Sequence, residues 1–128
     1  MSFLADTHTL LWWLAGKAGL SPASRDLLSD TTQPVFVSAA TAWEITTKFR
    51  LGKLPEAGFL AGNVENCIRL AGFRALPVTM AHAELAGRMP GEHRDPFDRM
   101  LAAQALLESF TLISADTALD AFGVRRLW

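Results

Sequence analysis

Short apolar runs alternate along this chain with stretches in which apolar positions recur at helical spacing. That alternation predicts a parallel β-sheet covered by helices, an α/β fold. Strands are expected at residues 2–5, 35–38, 74–78, 111–114 and 124–127. A helix from about His8 to Ala15 should stop at Gly16. Ser21-Pro22 places a hydroxyl cap before a proline, which starts a second helix through Leu28. Ser38 can cap a third, carrying Trp43, Glu44, Ile45, Lys48 and Phe49, with Gly52 to end it. On that helix Ala42, Ile45 and Phe49 form the stripe expected to be buried, and Thr41, Glu44 and Lys48 a separate polar one. Residues 57–71 predict another amphipathic helix, closed by Gly72, with Leu60, Val64, Cys67 and Ile68 facing inward. Asp95-Pro96-Phe97-Asp98 is a strong helix start, and the run from Met100 to Leu107 that follows is apolar nearly all round, as in a central, buried helix.

The helix and strand boundaries put acids in a particular place. Asp6 follows the first apolar run, Glu44 lies in the helix after Val35-Phe36-Val37, Asp98 opens the central helix, and Asp116 follows Thr111-Leu112-Ile113-Ser114. In a parallel α/β sheet, strand ends and helix starts meet along one edge, outside which ligands bind. Carboxylates gathered there repel one another unless a cation lies between them, and all-oxygen donors suit Mg²⁺ or Mn²⁺. Such an ion can generate hydroxide near neutral pH and offset charge on a phosphodiester under attack. Each acid also has a local structural role open to it. Asp6 can cap the first helix, Glu44 can pair with Lys48 four residues on, and Asp95 can cap the central helix. Asp98 suits the helix dipole, and Asp116, with Asp120, can cap a short last helix before Gly123. Local capping does not require that all of them share one edge.

Length and composition narrow the setting. The chain has 128 residues, the size of a single domain spanning 1–128. Hydrophobic residues make up 50%, enough for a full core with apolar surface left for a partner. Leu11, Trp12, Trp13 and Leu14 are more bulk than one face of a short helix buries. The net charge of −1 carries no signature of nucleic-acid binding, so any polyanion would need a local basic patch. A lone Cys67 excludes an internal disulfide and suits a reducing cytosol. The apolar run from Leu10 to Ala15 is too short to span a bilayer and lacks a basic leader, so a cytoplasmic domain that begins with its first strand is expected. His8, His82 and His93 lack zinc-ligand spacing, and His82 and His93 are expected on the surface or in loops. Glycine-rich phosphate loops and nucleophile-elbow motifs are absent from the sequence.

Leu4-Ala5-Asp6-Thr7-His8, Ser38 through Trp43-Glu44-Ile45 with Lys48, His93 through Ala105, and Ile113-Ser114-Ala115-Asp116 together resemble the PIN-domain family. More narrowly, the chain is similar to VapC-type toxins of toxin–antitoxin pairs. The resemblance covers essentially the whole chain in order. It implies a single PIN-like domain with a central, twisted parallel sheet of about four to five strands and helices on both faces. It also implies a Mg²⁺- or Mn²⁺-dependent endoribonuclease acting on tRNA or rRNA, leaving a 5′-phosphate and a 3′-hydroxyl. Asp6, Glu44, Asp98 and Asp116 match the family's acidic quartet. Asp95 would be an accessory acid, Ser114 would lie near metal waters, and Lys48 and Arg99 would meet phosphate or a partner. Homodimers and a cognate VapB-like antitoxin lying across the site are implied as well. A groove for RNA would then need Lys48, Arg50, Arg94 and Arg99 clustered beside it. Two other readings remain open: an aspartate-nucleophile phosphatase-like enzyme using Asp6, and a non-catalytic PIN-like interaction domain. His8 stands where the phosphatases carry their second aspartate.

Overall fold

The structure, a computed structural model, describes residues 1–93 and 95–128. Among them five strands form one parallel sheet: β1 (Phe3–Ala5), β2 (Val35–Ser38), β3 (Arg74–Leu76), β4 (Thr111–Ile113) and β5 (Arg126–Leu127). Their order across the sheet is β3-β2-β1-β4-β5, with every pair parallel. The strands are apolar at consecutive positions because both faces of the sheet are covered. Phe3, Ala5, Val35, Val37 and Ile113 point into one core. Leu4 and Leu112 point into the other.

The first core is closed by α1 (Thr7–Ala15), α2 (Pro22–Ser29), α3 (Ala39–Arg50) and α4 (Val64–Leu70). The second is closed by α5 (Met80–Arg88), α6 (Pro96–Glu108) and a 3-10 turn at Thr117–Phe122. The expected architecture of an α/β sheet with helices on both faces is the one found. Caps explain the boundaries. Asp6, Ser21, Ser38, Asp95 and Asp116 each accept from a backbone N–H in the first turn that follows.

Several expectations need correction. The helix expected over residues 57–71 is two pieces, a 3-10 turn at Pro55–Ala57 and α4, separated by Gly62 in a left-handed conformation at φ 78°. The third strand stops at Leu76 because Pro77, lacking an N–H, cannot extend the ladder. The pattern gave no sign of α5. Its start is capped by Thr79 and by the His82 imidazole, which accepts from Thr79 N (3.0 Å) where a Glu or Gln usually sits. His82 is therefore no surface residue: it is 2% exposed, with Nε2 3.1 Å from Glu108 Oε1. Leu11 is buried, and Trp12, Trp13 and Leu14 pack half-buried against the first core.

α6 ends at Ser109, in the left-handed region at φ 57° without being glycine. That conformation costs an L-residue about 1 kcal/mol. Ser109→Gly should therefore raise the unfolding free energy by about 0.5–1 kcal/mol, read from the denaturant midpoint at unchanged slope. A lowered midpoint would refute it.

Candidate functional site

The sheet order creates a switch point. From β1 the chain builds outward through β2 and β3, then crosses back to lay β4 on the other side of β1. Crevices at such reversals, beyond the carboxyl ends of the strands, are where α/β sheets bind ligands. Asp6 directly follows β1, and Asp116 lies just beyond β4. The register Ala5↔Ile113 and the bond from Asp6 N to Ile113 O (3.1 Å) hold these two strand ends level. The Thr9 hydroxyl adds a second tie to Ile113 O (2.9 Å).

α1 and α3 meet beside this crevice through polar side chains. The Thr7 hydroxyl donates to Glu44 Oε1 at 2.6 Å and lies 3.3 Å from the Thr41 hydroxyl. Lys48 Nζ donates to Glu44 Oε2. Glu44 is thus 3% exposed with both oxygens engaged. The stripe Thr41–Glu44–Lys48 was expected to be merely polar, yet Thr41 and Glu44 are buried, while Phe49, placed on the buried stripe, is 39% exposed. Glu44 can be buried because a hydroxyl and an ammonium replace its water.

α6 brings the next acids. Asp95 caps it, Oδ1 accepting from Phe97 N (2.9 Å) and more weakly from Asp98 N (3.4 Å). Asp98 Oδ2 lies 3.0 Å from His93 Nε2. Burial pushes the Asp98 carboxyl above the usual carboxylate range, and the charges of Asp95 and Glu44 push it further, against the opposing bond from His93. Burial would lower the Lys48 ammonium, but its bond to Glu44 and the charges of Glu44, Asp95 and Asp98 outweigh that and raise it. Lys48 also lies 5.8 Å over the Phe97 ring, so it bridges α3 and α6. Glu44, Asp95, Asp98 and Lys48 are therefore one electrostatic group.

Asp6 and Asp116 stand apart from those charges in their own contacts, at the ends of β1 and β4. Asp6 Oδ1 accepts from Thr9 N (2.9 Å), and Asp116 Oδ1 from Ala118 N (3.0 Å). Ser114, fully buried, accepts from Asp116 N through its hydroxyl (3.0 Å). Among the described residues, no three acidic, histidine or cysteine side chains stand close enough together to hold a metal. Each carboxylate is instead satisfied locally, by a cap, by Lys48 or by His93. The donor set itself is all carboxylate oxygen. In donor chemistry alone, that all-oxygen set is of the kind a hard divalent ion takes.

Arg99 departs from its expected role. Its guanidinium donates to Ala86 O (2.9 Å), His93 O (2.9 Å) and Met89 O, clasping α5 to α6 instead of facing a phosphate. Arg50 is exposed, and Arg94 lies outside the described residues. Reading the sequence alone missed the contacts of Thr7, Thr41 and His93. The hydroxyl following Asp6 was the available signal for Thr7. A cavity of about 420 Å³ lies alongside and is apolar, with the edge-to-face pair Trp43–Phe97 on its wall.

The PIN domain family model matches residues 3–124. The chain belongs to the PIN domain family. Among relatives of this PIN chain, ribonuclease VapC16 of Mycobacterium tuberculosis is 39% identical over 59 residues, which are 46% of this chain and 42% of that protein. The chain therefore matches less than half the length of that relative. VapBC2 from Rickettsia felis, solved bound to a DNA fragment from their promoter, superposes with a TM-score of 0.69 at 12% identity, covering 99% of this chain and 98% of that one. The Sarcin-Ricin loop cleaving toxin VapC20 of Mycobacterium tuberculosis gives 0.65 at 21% identity, covering 95% of each. At such identities the two structures speak for the PIN fold alone. Among the described residues, no helix is long and apolar enough to cross a membrane.

Proposed function

We propose that this PIN domain is a VapC-type toxin, a Mg²⁺- or Mn²⁺-dependent endoribonuclease that cuts tRNA or rRNA and is restrained by a cognate VapB-like antitoxin. The observation that carries the reading is the placement of Asp6 and Asp116 at the carboxyl ends of the paired strands β1 and β4, with Glu44 tied to α1 through Thr7. Asp98 is raised by burial and by acidic neighbours. Asp6, Asp98 and Asp116 would hold the ion, with Glu44 behind them. When bound, a divalent ion supplies an activated water and charge neutralisation for phosphodiester hydrolysis. The chain's own residues do the rest. Thr7 and Lys48 fix the Glu44 carboxylate, His93 orients Asp98, and the caps at Asp6 and Asp116 leave one oxygen of each free of the cap itself. The 59-residue stretch, 39% identical to a ribonuclease, supports the activity, and the likeness to VapBC2 of Rickettsia felis supports the antitoxin. A homodimer acting in the cytoplasm completes the reading.

The test uses purified, antitoxin-free protein incubated with total RNA, in Mg²⁺ or in EDTA, beside Asp6→Asn. Cutting is expected only for the unaltered protein with Mg²⁺, with 5′-phosphate ends on the fragments. Cleavage that persists in EDTA, or in Asp6→Asn, would remove this mechanism.

A further inference from the structure

A second pocket, of about 240 Å³, opens on the α1 side of Glu44 and is lined by Thr7, His8, Leu11, Glu44, Lys48, Lys53 and Leu54. Its two lysines are brought together by the end of α3. Gly52 adopts the left-handed conformation at φ 73°, with Gly52 N bonded to Phe49 O (3.0 Å) and Lys53 N to Lys48 O (2.9 Å). This pair of bonds folds the chain back over the last turn, so that residue 53 returns beside residue 48. Two ammonium groups sharing one pocket repel unless something negative lies between them. Glu44 pairs with Lys48. Lys53 has no ion-pair partner among the described residues, so the pocket carries one positive charge in excess. His8 is exposed at the rim and packed against Trp12, and the Thr7 hydroxyl lines the pocket.

We infer that this pocket receives a backbone phosphate of the RNA, one flanking the bond that is cut, with Lys53 as its principal contact and His8 at its mouth. The inference rests on the ribonuclease reading above. It answers the difficulty set by the net charge of −1, since a polyanion needs a local basic site and Arg99 is committed elsewhere. A strand lying with one phosphate at Asp6 and Asp98 must lay the next ones beside it. The pocket adjoins that place through Thr7 and Glu44, which belong to both. Leu11 and Leu54 wall the pocket, while Lys53 itself is exposed and open to a phosphate arriving from solvent.

The experiment measures binding of a fluorescein-labelled single-stranded RNA oligonucleotide, by anisotropy in Mg²⁺, on the Asp6→Asn background. Lys53→Ala should weaken binding about fivefold, the effect of one exposed charge contact. It should also make the logarithmic salt dependence shallower by about 0.7, the value for one phosphate on a single strand. Lys53→Arg should keep the affinity, and Arg69→Ala, at an exposed position of α4, should change nothing. In the cutting protein, Lys53→Ala should raise KM and leave kcat nearly intact. An unchanged affinity and salt slope in Lys53→Ala would overturn the assignment. So would Lys53-dependent capture of a polyglutamate peptide without Lys53-dependent capture of RNA, which would make the pocket a site for an acidic protein segment. Failure of the ribonuclease reading is separately visible as wild-type protein that binds the oligonucleotide through Lys53 yet cuts no RNA in Mg²⁺.

Discussion

Asp98→Asn is expected to abolish RNA cleavage while raising the thermal stability of the metal-free protein. The two effects have one cause. Burial and the charges of Asp95 and Glu44 disfavour an ionised carboxylate at this position, and His93 only partly compensates. On the function proposed above, a cation held there would stabilise the charge developing on a phosphodiester. Losing even about 4 kcal/mol of such stabilisation slows a reaction about a thousandfold. The amide keeps the shape and still accepts from His93 Nε2, but it carries no charge, so the repulsion with Asp95 and Glu44 disappears.

The sign of the pH dependence follows from the raised value. A carboxyl with a folded-state pKa above its unfolded one holds its proton more tightly when folded. Between the ordinary carboxylate range and the raised value, the folded state therefore binds more protons than the unfolded state, and stability falls as pH rises through that window. Above the window the penalty is complete. Below it the carboxyl is neutral in both states and costs nothing. Thermal unfolding in EDTA should thus show Asp98→Asn more stable than the unaltered protein at pH 7, with the two converging in acid. Added Mg²⁺ should stabilise the unaltered protein and leave the variant nearly unmoved. A variant less stable than wild type at pH 7, or one that still cuts RNA, would mean that this carboxylate is a structural anchor.

Much of this molecule is written in local pattern. Strands buried on both faces need consecutive apolar residues, and Phe3-Leu4-Ala5, Val35-Phe36-Val37 and Thr111-Leu112-Ile113 announce themselves for that reason. Asp95-Pro96 and Ser21-Pro22 mark helix starts because a cap acts within one turn. α5 escaped because Met80 and Leu85 are its only large apolar residues and its cap relies on His82, an unusual acceptor at that position. Acids at strand ends could be placed along one edge from strand and helix boundaries alone. How deeply they sit could not. Glu44 is buried because Thr7 meets it from α1 and Lys48 within α3, a consequence of how two helices pack. Trp43, two-thirds exposed beside a buried Glu44, shows the same limit, since helical periodicity assigns faces but not what lies opposite them.

Arg99 shows that limit most sharply, and its replacement should have the largest effect on folding. From sequence it is a cation near an acidic site. In the structure its three donors reach Ala86 O, Met89 O and His93 O, while the guanidinium lies 5.6 Å over the Phe122 ring. Ala86 belongs to the last turn of α5, whose carbonyls lack partners inside the helix, and Met89 is its C-cap. Arg99→Met keeps the apolar stem against Phe122 but leaves three carbonyls without their donor. With each charged hydrogen bond worth about 1.5 kcal/mol or more, a loss of at least about 3 kcal/mol is expected after partial rehydration. For a domain of this size that lowers the melting temperature by about 10 °C or more. Arg99→Lys discriminates between the roles. A point charge can still serve a phosphate, but it cannot span three carbonyls. If the clasp is what matters, the lysine variant should melt almost as early as the methionine one. It should also lose RNA affinity only to the extent that His93, released with its segment, stops orienting Asp98. A lysine variant with wild-type stability would return Arg99 to the RNA surface.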